Sequence, residues 1–154
     1  MRIIQMGLVM AMTLVVGVSS SAATAPVEAL VQVQRRAWPG PLLPLSERDL
    51  TSTRQMGCTC TFEARNRSLV QAIGNELMVR TRAGRQVCRI SDSQFQRMSG
   101  ASGTYACGGV RLSLRRTGRS RSHMASDSVT MPATLSARQG RTNRSLAGTW
   151  GCAC

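Results

Sequence analysis

The chain has 154 residues and a formal net charge of +13, set by 20 basic residues against 7 acids, and every basic residue is arginine. That length holds one domain rather than several. Aromatic residues make up only 3% of the chain, too few for the interleaved stacking platform of a single-strand binder, so specific nucleic-acid recognition is not expected.

Residues 1–23 read as a signal peptide. Arg2 supplies the positive end, residues 8–18 the apolar stretch and residues 19–25 the small-residue cleavage region. Cleavage at Ala22 or Ala23 is favoured, because cleavage after Ala25 would place Pro26 at the scissile bond. The apolar run is shorter than the ~20 residues of a span, so the cleaved chain is not expected to cross a membrane. Export to the periplasm or outside the cell puts the cysteines in an oxidising compartment, where an even count reads as disulfides. Residues 24–54 read as a linker or loosely docked arm. Trp38-Pro39-Gly40-Pro41 and Pro44 interrupt regular structure. Residues 29–34 suit a short strand or helical turn, and Leu42, Leu43 and Leu45 are placed to dock on the domain C-terminal to them.

Residues 55–154 form the predicted domain. Met56, Cys58, Cys60 and Phe62 alternate with Gly57, Thr59, Thr61 and Glu63, the period of a half-buried strand. Residues 69–73 and 77–81 flank Gly74-Asn75, a hairpin turn. Gly84 precedes a strand at residues 86–90. Ser91-Asp92-Ser93-Gln94 has the form of a capping box and opens one or two helical turns carrying Phe95 and Met98. Residues 104–107 read as a strand, Gly108-Gly109 as a turn, and Val110, Leu112 and Leu114 as the inner face of the next strand. Residues 118–126 read as a polar, arginine-rich loop. A strand over residues 129–137 contains Pro132, which cannot donate to a ladder and suits an edge position or an outward-facing N atom. After a loop at residues 139–143, Leu146, Gly148, Trp150, Cys152 and Cys154 share one strand face. The predicted fold is all-β: a small antiparallel barrel or sandwich of about eight short strands with one short helical turn, stapled by disulfides.

Two matched segments, Gly57-Cys58-Thr59-Cys60 and Gly151-Cys152-Ala153-Cys154, set the staples. Residues i and i+2 of a strand point the same way. Two such pairs on neighbouring antiparallel strands can therefore meet at the close, non-hydrogen-bonded positions. An antiparallel register joins Cys58 to Cys154 and Cys60 to Cys152, fastening the last strand beside the first and closing the sheet. A parallel arrangement would join Cys58 to Cys152 and Cys60 to Cys154, and sequence alone leaves both open. Cys88 and Cys107 remain for the third bridge. A metal site is not expected, because structural zinc sites favour CxxC spacing and export disfavours free thiolates.

No catalytic set is evident, and the chain is not expected to be an enzyme. His123, the one histidine, lies in the arginine-rich loop without a nucleophile elbow or a buried orienting carboxylate. There is no P-loop, dinucleotide fingerprint or zincin motif, and no cofactor is expected. The charge is more informative. Nine arginines and a single acid, Asp127, follow residue 93. Arg111, Arg115, Arg116, Arg119 and Arg121 belong to one strand and the loop after it, and Arg138, Arg141 and Arg144 surround the last hairpin. Merged, they would suit an anionic envelope polymer such as lipopolysaccharide or an acidic glycan. The bland alternative is a solubilising face on a structural envelope protein without a ligand.

Ser102-Gly103-Thr104-Tyr105 adds a resemblance. Bacterial lysozyme inhibitors of the periplasmic C-type class carry a cysteine-bearing strand, some forty residues later a Ser-Gly-x-x-Tyr segment, and then a Lys-Gly turn. Over roughly residues 56–118 the chain resembles them: Cys60 lies about forty residues before Ser102, and Arg116-Thr117-Gly118 stands where the turn would be. It departs in the shorter Ser–Tyr spacing, in arginine for lysine and in the two added cysteine pairs. The resemblance implies an exported barrel whose Ser102, Arg115, Arg116 and Gly118 enter the cleft of a lysozyme-type enzyme, with Tyr105 completing the motif. Net charge opposes that partner, because such enzymes are themselves generally basic.

Overall fold

The computed structural model describes residues 40–52 and 55–154. The signal peptide, the segment at residues 29–34 and Trp38-Pro39 fall outside the described residues. A short helix α1 (Glu47–Thr51) precedes strands β1 (Thr59–Ala64), β2 (Arg67–Ile73), β3 (Glu76–Thr81) and β4 (Gly84–Arg89). Helix α2 (Asp92–Ser99) leads to β5 (Ser102–Cys107), β6 (Val110–Arg116), β7 (Arg121–His123), β8 (Ser128–Gln139) and β9 (Thr142–Ala153). All the pairings between these strands are antiparallel. Their order, β4-β3-β2-β1-β9-β8-β6-β5 with β7 beside β8, makes a nearly closed eight-strand barrel.

The alternating residues of β1, β9 and β8 fill the interior. Phe62, Trp150 and Met131 are cross-strand neighbours and all are buried. Tyr105 opposite Leu112, and Leu114 opposite Leu135, extend the same core. Gly148 is required where β9 passes Glu63, the β1 residue at which the pairing with β2 shifts register: an added Cβ would collide with the Glu63 carbonyl oxygen.

The first and last strands pair in the antiparallel register, with Cys60 opposite Cys152. The bridges are Cys58–Cys154 and Cys60–Cys152, with Cα atoms 4.1 and 4.0 Å apart, as the close positions of an antiparallel pair require. Cys60 is buried, whereas Cys154 is exposed and Met56 is 93% exposed. The apolar face read from Met56 onward therefore begins later, because β1 starts only at Thr59 and residues beyond the barrel end have no opposite wall. The remaining gap lies between β4 and β5, where a helix replaces a hairpin. There Cys88–Cys107 ties the two edge strands, Cα atoms 5.5 Å apart. Beside it, the Gln86 side chain packs over Gly108, where an added Cβ would collide with Gln86 Cγ.

Helix α2 has the capping box expected of Ser91 and Gln94: Gln94 N–H donates to Ser91 Oγ, and Ser91 N–H to Gln94 Oε1 at 2.8 Å. Helix α1 was not expected. It lies in a segment that runs past the ends of β2 and β3, where Leu43 bridges Arg80 and Leu42 joins the interior core cluster. Leu42 and Leu45 are buried; Leu43 N–H donates to the Arg80 carbonyl and Leu45 N–H to the Ser68 carbonyl, both at 2.8 Å. Asp49 fixes the segment. It completes a capping box with Ser46 and accepts from Arg80 Nε at 2.7 Å and Arg80 Nη2 at 2.8 Å.

The hydrogen bond from Arg80 holds the Asp49 carboxyl well below the usual carboxylate range, against the opposing effect of burial. Stability gained from a depressed carboxylate is present above its unfolded pKa and fades as pH falls from there through the folded value. Protection of the Leu43 and Leu45 amides against hydrogen exchange should therefore fall between about pH 4 and pH 2, before the barrel opens. Asp49→Asn should remove this pH dependence and cost about 1–2 kcal/mol of docking, the lower end reflecting the partly exposed arginine. An unchanged pH profile in the variant would sink this assignment.

Candidate functional site

The outward face of β5, β6, β8 and β9 is organised in cross-strand rows. Arg111 stands opposite Ala106 on one side and Arg138 on the other. Ser113 stands opposite Thr104 and Ser136, and Ser136 Oγ lies 2.7 Å from Ser145 Oγ on β9. Arg115 stands opposite Ser102 and Thr134. Directly opposed residues of an antiparallel pair share a face. Arg111, Arg115 and Arg138 therefore project from one hydroxyl-rich surface, and all three are exposed. Arg121 joins them from β7, opposite Thr130.

The remaining arginines of the sequence-derived set are less tightly grouped. Arg116 ends β6 opposite Ala133, a buried residue, so it extends from the rim. Arg119 lies in the connection to β7. Among the described residues, none of Arg111, Arg115, Arg116, Arg119, Arg121 and Arg138 is in an ion pair, and no acid stands in the cross-strand rows of Arg111 and Arg115. Arg144 is held apart, against Gly40 and near Arg82, in a cleft of about 260 Å³.

The motif residues of Ser102-Gly103-Thr104-Tyr105 divide. Ser102 is exposed and faces Arg115. Tyr105 is buried, and its hydroxyl donates to the carbonyls of Gln94 and Ser102, so it ties α2 to β5 instead of meeting a partner. Burial pushes its phenol pKa up. Gly118 packs against Pro132, whose Cγ would lie 3.1 Å from an added Cβ. Pro132 sits between the stretches of β8 paired with β6 and with β7, where its missing N–H interrupts no ladder. Its carbonyl accepts from Thr117 N–H at 2.9 Å.

A second feature lies farther round the barrel. A groove of about 300 Å³ crosses β1, β9 and β8, lined in part by Thr59, Thr61, Ser128, Thr130, Thr149 and Glu63. Gly151 is its floor, opposite Thr61 and Thr130. On the β7 side, His123 Nε2 is 3.0 Å from Thr130 Oγ1. All six cysteines are in disulfides.

No family model, curated protein or solved structure matches this chain. Function therefore rests on its own surface chemistry. The merging of Arg111 with Arg138 is expected from the sequence, but their direct opposition is not. The Gly151 groove leaves only one trace in the sequence, the i, i+2 spacing of Thr59 with Thr61 and of Ser128 with Thr130.

Proposed function

We propose that this chain is an exported, non-enzymatic domain of the cell envelope, periplasmic or secreted, that binds an anionic polymer through the arginines on β6, β7 and β8. The observation that carries the reading is Arg111 directly opposite Arg138, with Arg115 four residues along the same strand face and no acid in the rows between them. Like charges placed directly opposite across strands are destabilising. A polyanion laid along β6 offsets that repulsion and releases its counterions. Arginine suits the task, because its planar fork meets carboxylate, sulfate and phosphate in a bidentate way. Three disulfides suit an extracytoplasmic location.

One observation favours a second reading, inhibition of a lysozyme-type enzyme. Ser102 faces Arg115, and the chain runs on through Arg116 to Gly118 at the same end of β6. Two assays separate the readings. Sedimentation with envelope fractions should be strong at about 50 mM salt, weak at about 500 mM, and lost when Arg111, Arg115, Arg119 and Arg121 are changed together to glutamine. Lysozyme inhibition, if present, should depend little on salt and fall with Ser102→Ala. Inhibition without envelope binding would replace the first reading with the second. Absence of both would leave a structural envelope protein.

A further inference from the structure

We infer that the polymer is an acidic glycan and that the groove over Gly151 is its sugar subsite; this rests on the polymer-binding reading above. The groove is built from three strands that meet only through the closure of β9 on β1. Its rows are Thr59–Ala153–Ser128, Thr61–Gly151–Thr130 and Glu63–Thr149–Pro132. The result is a trough whose accessible surface is mostly apolar, edged by the hydroxyls of four threonines and Ser128 with one carboxylate on the β1 side, and continued on the β7 side by His123 and Arg121.

That composition suits a hydroxyl-rich ligand whose charge is spaced from its hydrogen-bonding part. Hydroxyl side chains both donate and accept, and a carboxylate accepts from ligand hydroxyls. Glu63 would repel a ligand acid placed beside it, so the acid group is directed across the sheet toward Arg121, about 14 Å across three strand spacings and two residues along them. Repeating sugars that carry uronate or sulfate groups meet both demands. A polyphosphate or an acidic polypeptide without hydroxyls meets only the arginines.

Glycine at 151 is not demanded by the fold. Gly151 is absent from the residues with positive φ, and an added Cβ would meet Thr130 Cγ2 at 3.5 Å, an ordinary contact. What glycine does provide is the open floor. Gly151→Val therefore fills the groove while leaving the strand intact.

Binding of the full exported chain to two probes at low salt tests this: polygalacturonate, a uronate polysaccharide, and poly-glutamate matched in charge. Gly151→Val should weaken polygalacturonate binding about tenfold, the equivalent of one or two lost hydrogen bonds, and leave poly-glutamate within about twofold. Thr130→Val, which keeps the side-chain shape and removes one hydroxyl, should weaken the first probe several-fold and gives the same readout if the glycine variant melts early. Unchanged polygalacturonate binding in both variants, or equal losses on both probes, overturns the sugar subsite while leaving polymer binding standing. Failure of the wild-type chain to bind either probe overturns both.

Discussion

Replacing Cys58 and Cys154 with serine should cost less than about 1 kcal/mol, whereas breaking both CxC bridges together should cost about 4–5 kcal/mol. The bridges span 96 and 92 residues of sequence and sit on adjacent positions of the same strand pair. Either one closes nearly the same loop of the unfolded chain, so the second adds little once the first is present. The expected result is strong non-additivity: two small single losses and one large joint loss. Breaking Cys60–Cys152 alone should be somewhat more costly than breaking the rim bridge, because Cys60 is buried and a serine hydroxyl there would lack water. Cys88–Cys107 closes a short loop nested inside the larger ones, with a sequence separation of 19, and should contribute about 3 kcal/mol. Urea unfolding of the oxidised variants measures all of these. Equal and additive losses from the two CxC bridges would show that loop closure is not how they act.

Trp150→Ala should be the most damaging single substitution in the barrel, costing about 3–5 kcal/mol. Trp150 is fully buried between Phe62 on β1 and Met131 on β8, at the strand pairing that joins the end of the domain to its beginning. Truncation leaves a cavity that rigid flanking strands do not collapse into. Trp150→Phe should cost far less, about 1–2 kcal/mol, because the indole N–H has no hydrogen-bond partner among the described residues and its removal breaks no bond. The thermal midpoints of the two variants check this. A phenylalanine variant as damaged as the alanine variant would mean that the indole N–H has a partner.

The features legible in sequence were those set by local periodicity. Cys58 with Cys60 and Cys152 with Cys154 mark their own strand faces, and the i, i+2 spacing allows two pairings, of which the structure adopts the antiparallel one. Gly74-Asn75 marked the two-residue turn between β2 and β3, and Ser91 with Gln94 marked the start of α2. Helix α1 was hidden because Pro41 and Pro44 draw attention as breakers, although Ser46 and Asp49 carry the capping-box spacing a few residues later. Strand β7 was hidden because nothing in Arg121-Ser122-His123 alternates in hydropathy. It forms because β8 extends past the end of β6 and leaves Ser128 to Thr130 with a free edge.

The candidate site was legible only in part, for a related reason. Arg111 and Arg115 lie on one strand, and their common face follows from period two. That Arg138 meets Arg111 depends on the register between β6 and β8, which are not consecutive. The Gly151 groove depends on three strands brought together by barrel closure, and no local pattern encodes that. Tyr105 belongs to a recognisable motif, yet its role is set by α2 lying over it.

Binding of a polyanion to the opposed arginines on β6 and β8, as proposed above, would proceed through counterion release. Its most direct test is the salt dependence of affinity for a soluble anionic polymer extracted from the envelope, measured for the wild-type chain and for Arg111→Gln, Arg115→Gln and Arg138→Gln combined. The logarithm of the binding constant should fall linearly with the logarithm of salt concentration, and the triple variant should lose affinity with a slope shallower by about two. Affinity independent of salt, or an unchanged slope in the triple variant, would contradict the claim.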